Sequence, residues 1–86
     1  MRPVPQFRFE VIGLFDECAA QRLAADLDSI GPAARVHVDF AQAKALSDQS
    51  LAQVALALSR RPRQASVSGL TRHQLRVLEY LGVATR

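Results

Sequence analysis

Apolar and polar residues alternate along three segments of the chain, and a period of two is typical of strands that bury one face. The segments are 7–11 (FRFEV), 35–40 (RVHVDF) and 65–68 (ASVS). β-Branched residues on the apolar side of the second segment favour a strand further. We expect three strands at these positions.

Between and after these strands, apolar residues recur every three or four positions, as they do in helices with one buried side. The residues that precede these stretches are favourable helix N-caps, namely Asp16, Ser47 and Thr71. Gln74 follows Thr71 by three residues and completes a capping box. The first two helices are expected to stop near Pro32 and Pro62, because proline cannot continue a helix.

The predicted order is therefore βαβαβα, an α/β fold with a mostly parallel sheet of three to four strands joined by right-handed crossovers. If each strand adds on the same side of the last, every helix lies on one face, which gives a small two-layer right-handed superhelix. The other face should be polar and carries Arg8, Glu10, Arg35, His37, Asp39, Ser66 and Ser68. Residues 1–6, with two prolines, are expected to form an extended segment before a single domain at 7–86.

Composition narrows the possible functions. A chain of 86 residues with 49% hydrophobic content can build one core. The net charge of +3 permits acidic or phosphate partners, but a charge of this size serves solubility equally well. A single cysteine, Cys18, excludes an internal disulfide and a cysteine-based metal site. No apolar run reaches the roughly 20 residues of a membrane span, so we expect a cytoplasmic protein without membrane insertion.

Catalytic motifs are missing from the sequence. It contains no glycine-rich phosphate loop, no Gly-x-Ser-x-Gly elbow and no convincing pair of carboxylates, so we expect neither an enzyme nor a cofactor. His37 and Asp39 share one strand face, but two side chains are too few for a dedicated metal site. We interpret them as part of a solvated strand face.

The stretch Leu46-Ser47-Asp48-Gln49-Ser50-Leu51 joins the second strand to the second helix. Local capping explains it, because Ser47 suits an N-cap and Asp48 places a negative charge in the first turn. The stretch also follows the carboxyl end of a parallel strand, where α/β folds bind ligands and partners. Both interpretations stay open on the residues alone.

Several segments, taken in order over 7–83, resemble the STAS domain of bacterial anti-sigma-factor antagonists. Gly13-Leu14-Phe15-Asp16 is similar to the end of that family's strand and the start of its first helix. The segment 36–40 (VHVDF) resembles its apolar central strand, which ends in an acidic or amide residue. The segments 67–70 (VSGL) and 81–83 (LGV) resemble its last strand and the end of its closing helix.

This resemblance implies a site at the start of the second helix. In the family that helix opens with Asp-Ser-Ser-Gly-Leu, and a partner kinase phosphorylates the second serine. An alignment without gaps from Asp39 puts Gln49 at that position, which implies a module held in the unphosphorylated-like state. Shifting the register by one residue makes Ser50 the candidate phosphosite. The implied partner-binding residues are Asp39, Ser47, Asp48, Gln49 and Ser50.

The expected function is that of a non-catalytic signalling module in bacterial transcription regulation, which docks a kinase or anti-sigma-type partner through its second helix. One alternative is a STAS-type accessory subunit that docks on the ATPase of a lipid-transport ABC system. Another is nucleic-acid binding through Arg60, Arg61 and Arg63, although cations are also favoured at a helix end. The family usually has a further strand before the position of Phe7, so we expect the sheet edge here to be free to pair with a second copy.

Overall fold

Three strands and three helices follow one another in the predicted order. The computed structural model describes residues 5–31, 33–60 and 64–83. The elements are β1 (Gln6–Leu14), α1 (Glu17–Ser29), β2 (Arg35–Lys44), α2 (Asp48–Ser59), β3 (Ala65–Ser68) and α3 (Arg72–Tyr80). All three strands are parallel in one sheet of order β1-β2-β3. The α/β fold class is confirmed.

Each helix begins at the cap that the sequence predicts. The Asp16 carboxylate accepts a hydrogen bond from the Ala19 N–H at 2.8 Å. Both halves of the α3 capping box are present: the Thr71 hydroxyl accepts from the Gln74 N–H at 3.2 Å, and the Gln74 side chain accepts from the Thr71 N–H at 2.9 Å. These side chains satisfy backbone donors that the first helical turn leaves without partners.

The hydrophobic core lies between the helices and one face of the sheet. Val36, Val38 and Phe40 of the central strand are at most 2% exposed. Phe15 and Phe40 pack edge to face, with ring centroids 5.7 Å apart. Helical residues complete the core, among them Ala20, Leu23, Leu27, Leu51, Val54, Leu58 and Leu78. Burial of each large apolar side chain stabilises the fold by about 1.5–3 kcal/mol.

Both long strands extend beyond their predicted limits. β1 runs to Leu14 instead of residue 11, and β2 runs to Lys44 instead of residue 40. A β-bulge in β2 separates the predicted part of the strand from its extension. The register shows it, since Glu10 pairs with Asp39 whereas Ile12 pairs with Gln42. The extra residue on β2 breaks the alternation that predicted the strand, although the strand pairing continues past it.

The bulge is held from both sides. Asp39 Oδ1 accepts a hydrogen bond from the Ala41 N–H at 2.9 Å, which satisfies a donor that the bulge removes from the ladder. Gly69, just after β3, has a φ of +77° and lies directly against the backbone of Ala41. A side chain at this position would overlap Ala41, so only glycine fits.

The predicted extended start falls mostly on residues 1–4, which lie outside the described part of the chain. Of that segment, the Pro5 carbonyl accepts a hydrogen bond from the Arg35 N–H at 2.8 Å, and Gln6 already belongs to β1. Among the helices of the described residues, none has the length and apolar character that crossing a membrane requires.

Replacing Gly69 with alanine should destabilise the protein more than the same change at Gly13. Gly13 has a similar φ of +80°, but a side chain there would meet no atom within 4 Å. Gly13→Ala should therefore lower the free energy of unfolding by only the cost of the left-handed backbone, about 1–2 kcal/mol. Gly69→Ala should lose roughly a further 1–3 kcal/mol through overlap with Ala41. Urea denaturation of the two variants measures the difference, and equal losses would contradict the close approach.

Candidate functional site

The sheet face opposite the helices is polar, and no helix of the described residues packs on it. We call it the open face. The strand register sets its side chains in rows: Arg8 beside His37 and Ser66, then Glu10 beside Asp39 and Ser68. The predicted grouping of polar residues on one face is therefore seen in the structure.

His37 is held between two serines of β3. Its Nδ1 lies 2.7 Å from the Ser66 hydroxyl, and its Nε2 lies 2.9 Å from the Ser68 hydroxyl. Because a hydroxyl can donate or accept, either neutral tautomer of the ring can be satisfied. These contacts join β2 to β3 across the open face and fix the orientation of the ring.

Asp39 continues this network towards β1. Its Oδ2 lies 3.2 Å from an Arg8 guanidinium nitrogen, and its Oδ1 accepts from the Ala41 N–H. The Ala41 hydrogen bond is the largest cause holding the pKa of the Asp39 carboxyl below its ordinary value of 3.8, with help from Ser68 and Arg8 and against desolvation. Asp39 is therefore a charged link between the bulge and the open face.

The start of α2 is built by serines. The Ser47 hydroxyl accepts a hydrogen bond from the Ser50 N–H at 3.1 Å, which makes Ser47 the N-cap, as predicted. The same hydroxyl donates to the Ser50 hydroxyl at 3.1 Å. Ser50 is only 2% exposed, so its hydroxyl faces the protein interior.

The two residues between these serines point outwards. Asp48 and Gln49 are exposed. A carboxylate oxygen of Asp48 lies 3.6 Å from His73 Nε2, which links the first turns of α2 and α3, although both side chains remain largely in solvent. An amide and a carboxylate therefore stand at the positive end of a helix dipole, open to a partner.

Exposed apolar side chains lie at the end of β1, beside the last residues of β2. Ile12 and Leu14, at the end of β1, are 66% and 65% exposed. Leu14 pairs with Lys44, which lies three residues before the Ser47 cap. The predicted first strand ends at residue 11 and therefore misses Ile12 and Leu14. Extending the alternation of Arg8 and Glu10 along β1 would place both side chains on the open face.

The five predicted partner-binding residues do not form one cluster. Ser47, Asp48, Gln49 and Ser50 lie together at the start of α2. Asp39 lies five residues before the end of β2, a distance of about 16 Å along the strand at roughly 3.3 Å per residue. Its side chain forms hydrogen bonds on the open face. The reason is the bulge, which lets β2 continue five residues past Asp39 before the chain turns to α2.

The predicted arginine cluster is only partly described, since Arg61 and Arg63 lie outside the described residues. A guanidinium nitrogen of Arg60 lies 2.8 Å and 2.9 Å from the two carboxylate oxygens of Asp28. This ion pair joins the ends of α1 and α2 and competes with phosphate for the Arg60 guanidinium. In the part of the chain that the structure describes, no three His, Cys, Asp or Glu side chains are grouped to hold a metal ion.

No protein-family model, curated protein or solved structure matches the chain. Its function is therefore inferred from its own residues and from the resemblance of its segments to the STAS domain.

Acidification should reveal the contribution of Asp39. Because its pKa is lower in the folded chain than the ordinary value, the unfolded chain binds the proton first as pH falls. The stabilisation is present above about pH 4 and is lost as pH falls through the folded pKa. The free energy of unfolding of Asp39→Asn, which keeps an acceptor for Ala41, should therefore fall less with acidification than that of the wild type.

Urea denaturation at a series of pH values measures this difference. The difference should persist in about 1 M NaCl, because the hydrogen bond from Ala41 contributes more than the screened charge of Arg8. The same pH dependence in wild type and Asp39→Asn would contradict the role of this carboxylate.

Proposed function

We propose that this chain is a non-catalytic protein-binding module that docks a partner through the start of α2 and the adjoining end of β1. The main observation behind this proposal concerns the residues around the start of α2. Asp48 and Gln49 are exposed in the capped first turn, and Lys44, a few residues earlier in the chain, pairs with the exposed Leu14 of β1. Stable protein interfaces combine an apolar centre with a polar rim, and this end of the molecule offers both.

The apolar part of the docking surface is supplied by Ile12 and Leu14. Both side chains are about two-thirds exposed, whereas the other leucines and isoleucines of the described residues are buried or partly buried, except Leu56 and Leu81. Contact with a partner would remove this surface from water, at about 25 cal/mol per Å² of apolar area. The apolar pair supplies binding energy, and the polar residues of α2 supply selectivity.

The polar part is the first turn of α2. Ser47 satisfies the Ser50 N–H, so the backbone donors before Ser50 remain available to an acceptor of the partner. Gln49 can both donate and accept hydrogen bonds, and it adds no charge of its own. A negative charge at this position would change the local field most, because the helix dipole is concentrated in the first turn.

The resemblance to STAS domains suggests the class of partner, a kinase or anti-sigma-type regulatory protein. Under that alignment, Gln49 occupies the phosphoacceptor position, and an amide there keeps the surface permanently in its unphosphorylated-like state. The alternative phosphosite, Ser50, is 2% exposed, and its hydroxyl accepts a hydrogen bond from the Ser47 hydroxyl. A kinase would have to open the first turn of α2 to reach its hydroxyl, so we assign the docking role to the exposed residues.

A single charge at Gln49 should abolish partner capture. Immobilised wild type, Gln49→Asp and Gln21→Asp are incubated with lysate of the native host, and bound proteins are identified by mass spectrometry. Gln21 is an exposed residue of α1, so its replacement makes the same chemical change away from the proposed surface. We expect one protein captured by wild type and by Gln21→Asp, and lost at least about tenfold from Gln49→Asp.

Equal recovery on all three proteins would mean that the stretch merely caps α2. Capture of nucleic acid, with affinity that falls steeply as salt increases, would instead favour the arginine-based alternative. Circular dichroism of both variants checks that the fold is retained.

A further inference from the structure

The outer edge of β1 is long and unpaired. β1 lies at the edge of the sheet, and no strand of the described residues pairs with its outer side. Its nine residues include no proline, and three of its apolar side chains, Phe7, Ile12 and Leu14, are 43–66% exposed. β3 forms the opposite edge with only four residues and ends at Ser68, so it offers far less backbone for pairing. Long, apolar edge strands are templates for pairing with another chain.

The free backbone groups of β1 belong to its even-numbered residues. The Pro5 carbonyl accepts from the Arg35 N–H, which sets the phase of the parallel ladder. Odd-numbered residues of β1 therefore direct their backbone groups to β2, and even-numbered residues direct theirs outwards. An added antiparallel strand must form its hydrogen-bonded pairs with Gln6, Arg8, Glu10 and Ile12.

The charges on this edge are self-complementary. Arg8 and Glu10 lie on the open face, one residue before and one residue after Phe9. Their charged groups are 3.7 Å apart within the chain, and their side chains are 62% and 53% exposed, which leaves both accessible to a second copy. If a two-fold axis passes beside Phe9, Arg8 of one copy faces Glu10 of the other, and this occurs twice. Both are even-numbered residues, so the register that pairs the charges also forms the backbone hydrogen bonds.

We propose that β1 pairs antiparallel with β1 of a second copy, with Phe9 at the two-fold axis. Neighbouring registers are worse. With Glu10 at the axis, two like charges are opposed, and with Val11 at the axis, Arg8 and Glu10 face Leu14 and Ile12. The proposed register also sets Phe9 against Phe9, and Phe7 against Val11, on the side of the sheet that carries the helices.

The resulting dimer has one continuous sheet. A two-fold axis perpendicular to the sheet keeps all helices on one side and joins the two open faces on the other. Pairing spans Gln6 to Ile12, so it leaves Leu14 and the start of α2 outside the paired segment. Of the proposed docking surface, only Ile12 lies in the paired segment. Arg8 and Glu10 lie outside that surface, so substitutions at these two residues test dimerisation separately from partner docking.

Charge reversal with mixing tests the register. Sedimentation equilibrium is measured from about 1 µM to about 1 mM, with a reductant present because Cys18 is exposed. Wild type should reach twice the 9.4 kDa mass of the chain. Arg8→Glu alone and Glu10→Arg alone should each weaken the dimer about tenfold or more, because each opposes like charges at two symmetric contacts.

An equimolar mixture of the two variants should restore the dimer, because both contacts then join opposite charges. Arg8→Glu faces Glu10→Arg at one contact, and the native Glu10 faces the native Arg8 at the other. Should either reversal prevent folding, as judged by circular dichroism, Arg8→Gln and Glu10→Gln should each weaken the dimer by a smaller factor. A wild type that stays monomeric, a reversal that leaves dimerisation unchanged, or folded variants that do not associate when mixed would each overturn the proposal.

Discussion

Packing of α2 against the inner face of β2 is the interaction on which the rest of the structure depends. Leu51, Val54 and Leu58 are at most 1% exposed, and so is Val38 on the central strand. α1 and α3 lie on either side of α2, and both pack against it. Because β2 is central and α2 follows it directly, this contact sets the side of the sheet on which the other helices can bury their apolar stripes.

The same packing explains why the other sheet face is polar. Every residue that faces away from the helices lacks an apolar layer to cover it, so its side chain must hydrogen bond or remain in solvent. Polar side chains on the open face pair with one another. His37 lies within hydrogen-bonding distance of Ser66 and Ser68, and Arg8 forms an ion pair with Asp39. The strand order β1-β2-β3 also leaves β1 at an uncovered edge of the sheet, where the proposed pairing with a second copy would occur.

Sequence patterns predicted the features that depend on residues near one another in the chain. The caps Asp16, Ser47 and Thr71 act within three residues of themselves, and alternation alone placed the polar side chains on one face. The bulge could not be predicted, because it depends on contact between Ala41 of β2 and Gly69, which follows β3 much later in the chain. For the same reason, Asp39 was grouped with the α2 start, although its bonds lead instead to Arg8, 31 residues earlier.

Amide hydrogen exchange along β1, followed by NMR in dilute and concentrated protein, tests the one-sided sheet and its free edge most directly. The N–H groups of Phe7 and Phe9 should be protected at every concentration, because they face β2. Those of Arg8 and Glu10 should exchange rapidly in dilute protein and gain protection as the concentration rises. Uniform protection of all four amides in dilute protein, or no change with concentration, would contradict this structure of the edge.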